Sequence, residues 1–136
     1  MRCAVFLALI SILTGCSTSP MNRQDLHQAA TQIESISQEA ALFSEFVRDG
    51  HATKTFMRTH PDYLKELCGD VAKTLSESSA ENGLRQDQTT LQMLTSRLQD
   101  RIAEFPVIIQ DSSSLDERRN QFLKIADEAK RTRERL

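Results

Sequence analysis

Asn22–Gly50, NRQDLHQAATQIESISQEAALFSEFVRDG, decides the fold class of this chain. Within it Leu26, Ala29, Ile33, Ile36, Ala40, Phe43 and Val47 recur at alternating intervals of three and four residues. That spacing lines one side of a helix with a continuous apolar seam. Ala30, Leu42 and Phe46 read as widening the seam into the broad face of a bundle helix. Asn22, with Asp25 three residues on, suits the N-cap, and Gly50 suits the residue just past the C-terminus. A single helix cannot bury such a stripe, so partner helices are expected elsewhere in the chain.

The same period continues downstream. Thr59-His60-Pro61-Asp62 looks like a helix start, with Thr59 and Asp62 as a capping pair and Pro61 in the first turn. Leu64, Leu67, Cys68, Val71, Ala72 and Leu75 then share one face. Residues 51–58 are ambiguous between a loop and a frayed continuation of the first helix. Ser76–Gly83 (SESSAENG) turns the chain. Leu84, Leu91, Leu98 and Phe105 follow at strict seven-residue spacing, joined by Leu94 and Ile102. Pro106 ends or kinks that helix. Ser114-Leu115-Asp116-Glu117 has the form of a capping box and opens a last helix bearing Leu115, Phe122, Ile125, Ala126, Ala129 and Leu136. The expected fold is all-α, an antiparallel bundle of four helices over residues 22–136. A three-helix bundle with a loose fourth helix, and a long hairpin completed by oligomerisation, remain alternatives. Phe43, Leu91, Leu98 and Phe122 are expected in the core.

The N-terminus differs in kind. Met1-Arg2 precedes the apolar run Cys3–Leu13 (CAVFLALISIL), whose eleven residues suit a secretory signal and are too few to span a bilayer. Leu13-Thr14-Gly15-Cys16 follows, and this tetrapeptide resembles the lipobox of bacterial lipoproteins. The resemblance implies cleavage after residue 15 and a diacylglycerol on the sulfur of Cys16, commonly with a further acyl chain on its amine. Two or more chains anchor a protein stably where one does not. Residues 1–15 would then be a cleaved lipoprotein signal peptide, 16–21 a lipidated tether and 22–136 the bundle domain. The implied location is the cell envelope, facing away from the cytoplasm. Ser17, in place of the aspartate that favours inner-membrane retention, points to the periplasmic face of the outer membrane in a Gram-negative cell.

Removing residues 1–15 of 136 leaves 121, which suits one small domain. Arg2 is the only charge lost from 17 basic and 19 acidic residues, so the mature chain carries −3. This is no nucleic-acid footprint. Cys68 is the one remaining cysteine and reads as a buried thiol on an apolar stripe, rather than a bridge between chains. His27, His51 and His60 form no ligand pair with one another or with cysteine, so no metal site and no cofactor are expected. His51 and His60 flank one connection and read as exposed loop residues. Neighbouring carboxylates such as Asp116 and Glu117 point apart on a helix and make no acid–base dyad. Lys130–Leu136 (KRTRERL) reads as favourable charge on a helix C-terminus. Leu136 departs from the small helical lipoproteins joined to peptidoglycan through a C-terminal lysine, so no such link is expected.

No motif names an activity. The expected role is a membrane-anchored protein-interaction module, such as an adaptor, pilotin-like factor or accessory subunit, that is not an enzyme. The alternative is an envelope hydrolase acting on cell-wall or lipid substrates. The expected partner is an envelope protein close to the membrane. Phe56, Met57, Val107, Ile108 and Ile109 are the expected contacts, being apolar yet outside the main seams. The sequence leaves the oligomeric state open.

Overall fold

A computed structural model describes residues 19–136, and the signal-like segment and Cys16 lie outside that range. The described chain runs α1 (Arg23–Arg48), α2 (Lys54–Glu77), α3 (Arg85–Ala103), the single turn α4 (Phe105–Ile108) and α5 (Ser112–Arg135). No described helix is long and apolar enough to cross a membrane.

Both ends of α1 follow from their residues. The Asn22 side chain accepts from the amides of Gln24 and Asp25 at 2.8 and 3.1 Å, and Asp25 accepts from the Asn22 amide at 2.9 Å. This reciprocal box satisfies amides that have no partner within the helix. At the other end Gly50 adopts φ +73°. Its amide donates to Val47 O and the His51 amide to Phe46 O, both at 3.0 Å, which closes a Schellman motif.

The later boundaries correct the sequence reading. Thr53, not Thr59, caps α2 by accepting from the Phe56 amide at 3.2 Å. Thr59 instead donates to Thr55 O at 3.0 Å, inside the helix. Phe56 and Met57 therefore belong to the start of α2, and Pro61 sits buried in its interior. There Pro61 lacks the amide hydrogen that would have bonded the Met57 carbonyl. Asp111, not Ser114, caps α5, accepting from the Ser113 amide at 3.1 Å and from the Ser114 hydroxyl. Those bonds hold the Asp111 carboxyl below its usual range, the Ser114 hydroxyl contributing most.

The side-chain pairs fix the topology. Arg48–Asp116 at 2.5 Å, Arg119–Glu45 at 3.0 Å and Arg133–Glu34 at 2.7 Å run α5 antiparallel to α1. Arg97–Glu128 at 2.8 Å and Arg135–Asp87 at 3.2 Å do the same for α3 and α5. Phe43 meets Phe56, and Glu39 meets His60, so α2 returns along α1. The result is an up-down-up-down, all-α four-helix bundle, with α1 against both α2 and α5.

All seven seam residues of α1 are buried, as are Leu91, Leu98 and Phe122. The α1 face widens differently from the expectation, however. Ser37, Ala41 and Ser44 are buried with Ala30, whereas Leu42 is 65% and Phe46 45% exposed. Ser37 and Ser44 hide their hydroxyls by donating to Ile33 O and Ala40 O at 2.7 and 2.9 Å. These small residues lie on the side of α1 that carries Glu34, Glu45 and Arg48, where α5 packs. With Ala126 and Ala129 buried on α5, the two backbones approach closely.

Met21, expected at the end of a free tether, is instead locked into the bundle. Its amide donates to Ser79 O at 3.1 Å, and the Glu81 amide donates to its carbonyl at 3.0 Å. The Met21 side chain is buried at 5% exposure. Ser19 and Pro20, just before it, are exposed. One pole of the bundle thus gathers Met21, the α2–α3 loop and the end of α5. The other gathers the α1–α2 loop, α4 and the start of α5.

Candidate functional site

Phe43 sits on the core side of α1 near the pole remote from Met21. It meets Phe56 of α2 at 5.5 Å between ring centroids and Phe105 of α4 at 4.8 Å. Phe105 in turn lies 5.5 Å from Phe122 of α5. Edge-to-face and tilted contacts of this kind are favoured over face-to-face sandwiches. Four elements therefore share one aromatic cluster, and it closes that end of the bundle.

A cleft of about 410 Å³ opens outward from the cluster between α1 and α2. Its walls are Leu42, Phe43, Phe46 and Phe56, rimmed by Glu39, Glu45, Asp49, His51 and His60. Ligand-binding clefts start at about this size. His60, on the rim, is half-buried. Its ring stacks on Phe56 at 4.5 Å and 26°, with Phe43 at 5.0 Å and Tyr63 at 5.7 Å. Burial pushes the His60 pKa down, and the Glu39 carboxylate, 3.4 Å away, opposes that shift. His51, at the exposed end, meets Phe46 edge-on at 5.6 Å.

The rim is acidic. Arg48 contacts both Asp49, at 2.8 Å, and Asp116, at 2.5 Å, so one guanidinium serves two carboxylates. The Arg48 hydrogen bond holds the Asp49 carboxyl below its usual range. Glu45 is matched by Arg119. No lysine or arginine of the described residues lines the cleft, nor does a serine, threonine or cysteine. The arrangement offers an apolar floor and negative edges, which bind and orient; the aromatic neighbour of His60 outside the lining is Tyr63. Among the described residues no group of three His, Cys, Asp or Glu side chains is placed to hold a metal ion.

Of the expected contact residues, Phe56 lines the cleft, while Met57, Val107, Ile108 and Ile109 do not. Phe56, Met57, Ile108 and Ile109 are half-buried and pack against the core, and Val107 is 84% exposed on α4. All five lie toward the pole remote from Met21. His60 and His51, read as exposed loop residues, both line the cleft, and His60 belongs to α2. Leu42, Phe46 and Glu39 were missed as site residues. The signal for Leu42 was available: it stands nine residues from Ile33, about two and a half helical turns, and so points the opposite way. Cys68 is fully buried and unpaired, its thiol pushed up to about 12 by burial.

The fold defines an all-α antiparallel bundle. No family model, curated protein or solved structure matches this chain.

Proposed function

We propose that the protein is a lipid-anchored envelope lipoprotein that works as a protein-interaction module, with no catalytic site of its own. The observation that carries the binding role is the apolar cleft between α1 and α2, with its exposed Leu42 and Phe46. Exposed apolar surface gathered in a concavity marks interaction sites, whereas scattered single residues do not. The Leu13-Thr14-Gly15-Cys16 stretch supports the anchor, and Ser17 supports the periplasmic face of the outer membrane in a Gram-negative cell. The partner on this reading is an envelope protein.

The test uses the full-length chain in its own membranes. Wild type is expected to fractionate with membranes and to yield a defined protein adduct on crosslinking. Cys16→Ser is expected to leave an uncleaved or mislocalised precursor. A Cys16→Ser chain that is processed normally and stays membrane-bound would remove the lipid anchor. Turnover of a cell-wall or lipid substrate by the purified protein, lost on His60→Gln, would replace the binding role with a hydrolase.

A further inference from the structure

The cleft between α1 and α2 does not end at α1. A second hollow, of about 340 Å³, lies between α1 and α5 and shares Leu42 and Glu45 with the first. Leu123 of α5, 39% exposed, lies in it. Together the two hollows make one groove crossing the outer side of α1, with Phe56 toward one end and Leu123 toward the other. Leu42 stands between the two hollows, and Phe46, one helical turn further on, lines the first of them.

We propose that this groove docks an amphipathic helix of a protein partner, with its apolar stripe over Leu42 and Phe46 and lysine or arginine along its edges. The proposal rests on the protein-binding role given above and names the partner's chemistry. In helix-in-groove recognition the docking helix supplies apolar anchors at helical spacing and the receptor supplies hollows for them; here the hollows on the two sides of Leu42 take that part. Charge complementarity selects the basic edges. Glu39 has His60 as its facing group, which burial keeps mainly neutral, and Arg48 is outnumbered by Asp49 and Asp116. Glu45 and Arg119 cancel. The rim therefore keeps an excess of negative charge that a partner's cations neutralise, and the exposed Phe46 ring offers a face to one of them. A second copy docking through the same groove would set like carboxylates against each other. An anionic lipid surface meets the same repulsion, and the groove lies some twenty residues of helix from Met21, about 30 Å along the axis.

The test places a photo-crosslinking side chain at position 42, and in separate full-length chains at Val107 and at Met93, which is exposed on α3, in native membranes. Adducts are mapped to the residue by mass spectrometry. The expected position-42 adduct is a Lys- or Arg-rich amphipathic segment of another protein. Adding Glu39→Lys with Phe46→Ser should cut its yield at least tenfold while helicity and cooperative unfolding are retained, with a lower melting temperature expected because Phe46 packs on His51 and Phe56. A position-42 adduct to lipid, to a second copy or to an acidic segment overturns the proposal. So does a yield unchanged by the two substitutions. Adducts only at 107 or 93 overturn the groove while leaving a protein-binding role in place. No protein adduct at any position removes both.

Discussion

Gln88 shows how one side chain can close a junction. It is 8% exposed and lies near the start of α3. Its Oε1 accepts from the Ala80 amide at 2.9 Å, and its Nε2 donates to Leu75 O and Ser78 O at 2.9 and 2.6 Å. Gln92 also donates to Leu75 O, at 2.8 Å, so that carbonyl has a second donor. The Ala80 amide has none. Gln88→Leu should therefore lower unfolding free energy by about 1–3 kcal/mol, the cost of one buried group left unpaired, as read by urea titration. His60 supplies a pH dependence. Its pKa is lowered in the folded chain from the ordinary 6.5. The unfolded chain then takes up the proton first as pH falls, so stability is held at higher pH and lost as pH drops through 6.5. The loss in melting temperature between about pH 8 and about pH 5 should shrink in His60→Gln. Cys68, its thiol pushed up to about 12, should resist a thiol reagent at neutral pH until the chain is unfolded.

At the scale of elements, α1 and α5 depend on small side chains where they meet. Ser37 and Ser44 are fully buried with their hydroxyls turned back on the helix, so they pack as small apolar groups. Ser37→Leu should push the helices apart and cost about 1–3 kcal/mol, seen as a lower melting temperature with helicity retained. Leu98→Ala, at a site with 0% exposure, should cost about 2–5 kcal/mol by leaving a cavity. The seams of α1, α3 and α5 were legible because burial follows helical spacing directly. The start of α2 was not. Thr59 and Asp62 resemble a cap, but Thr53 supplies one six residues earlier, and packing of Phe56 against Phe43 carries the helix through Pro61. The second widening of α1 was also misread. Apolar character drew Leu42 and Phe46 to the core, while helical angle and the space left by α5 assign those places to serine and alanine.

For the whole molecule, the pinning of Met21 gives the bundle two unlike poles. On the proposed anchoring through Cys16, four residues of sequence, 17–20, separate the anchor from Met21. The α2–α3 loop must then sit near the bilayer, and the α1–α2 loop lies the length of α1 away, 26 residues or about 39 Å when the bundle stands upright. A partner close to the membrane, as the free-tether reading requires, must then reach up to the groove or meet a tilted bundle. A fluorophore at position 81 should be quenched strongly by an acceptor in the bilayer, and one at position 107 much less. Equal quenching at both would mean that the bundle lies flat.

Sequence alone determined that this chain is helical and where the apolar seams of α1, α3 and α5 run, and it made a four-helix antiparallel bundle the expectation beside a three-helix bundle and a hairpin completed by oligomerisation. Those properties depend on spacing along a single helix, and spacing is written in the chain. Tertiary structure decided that Met21 joins the loop after α2, that Gln88 bonds across that loop, and that His60 lies against Phe43 and Phe56. It also decided that Phe46 lines a cleft against α2 and that Leu42 stands between that cleft and the hollow beside α5. Each of these depends on which helices become neighbours and how closely they approach, and that is set jointly by all the side chains between them.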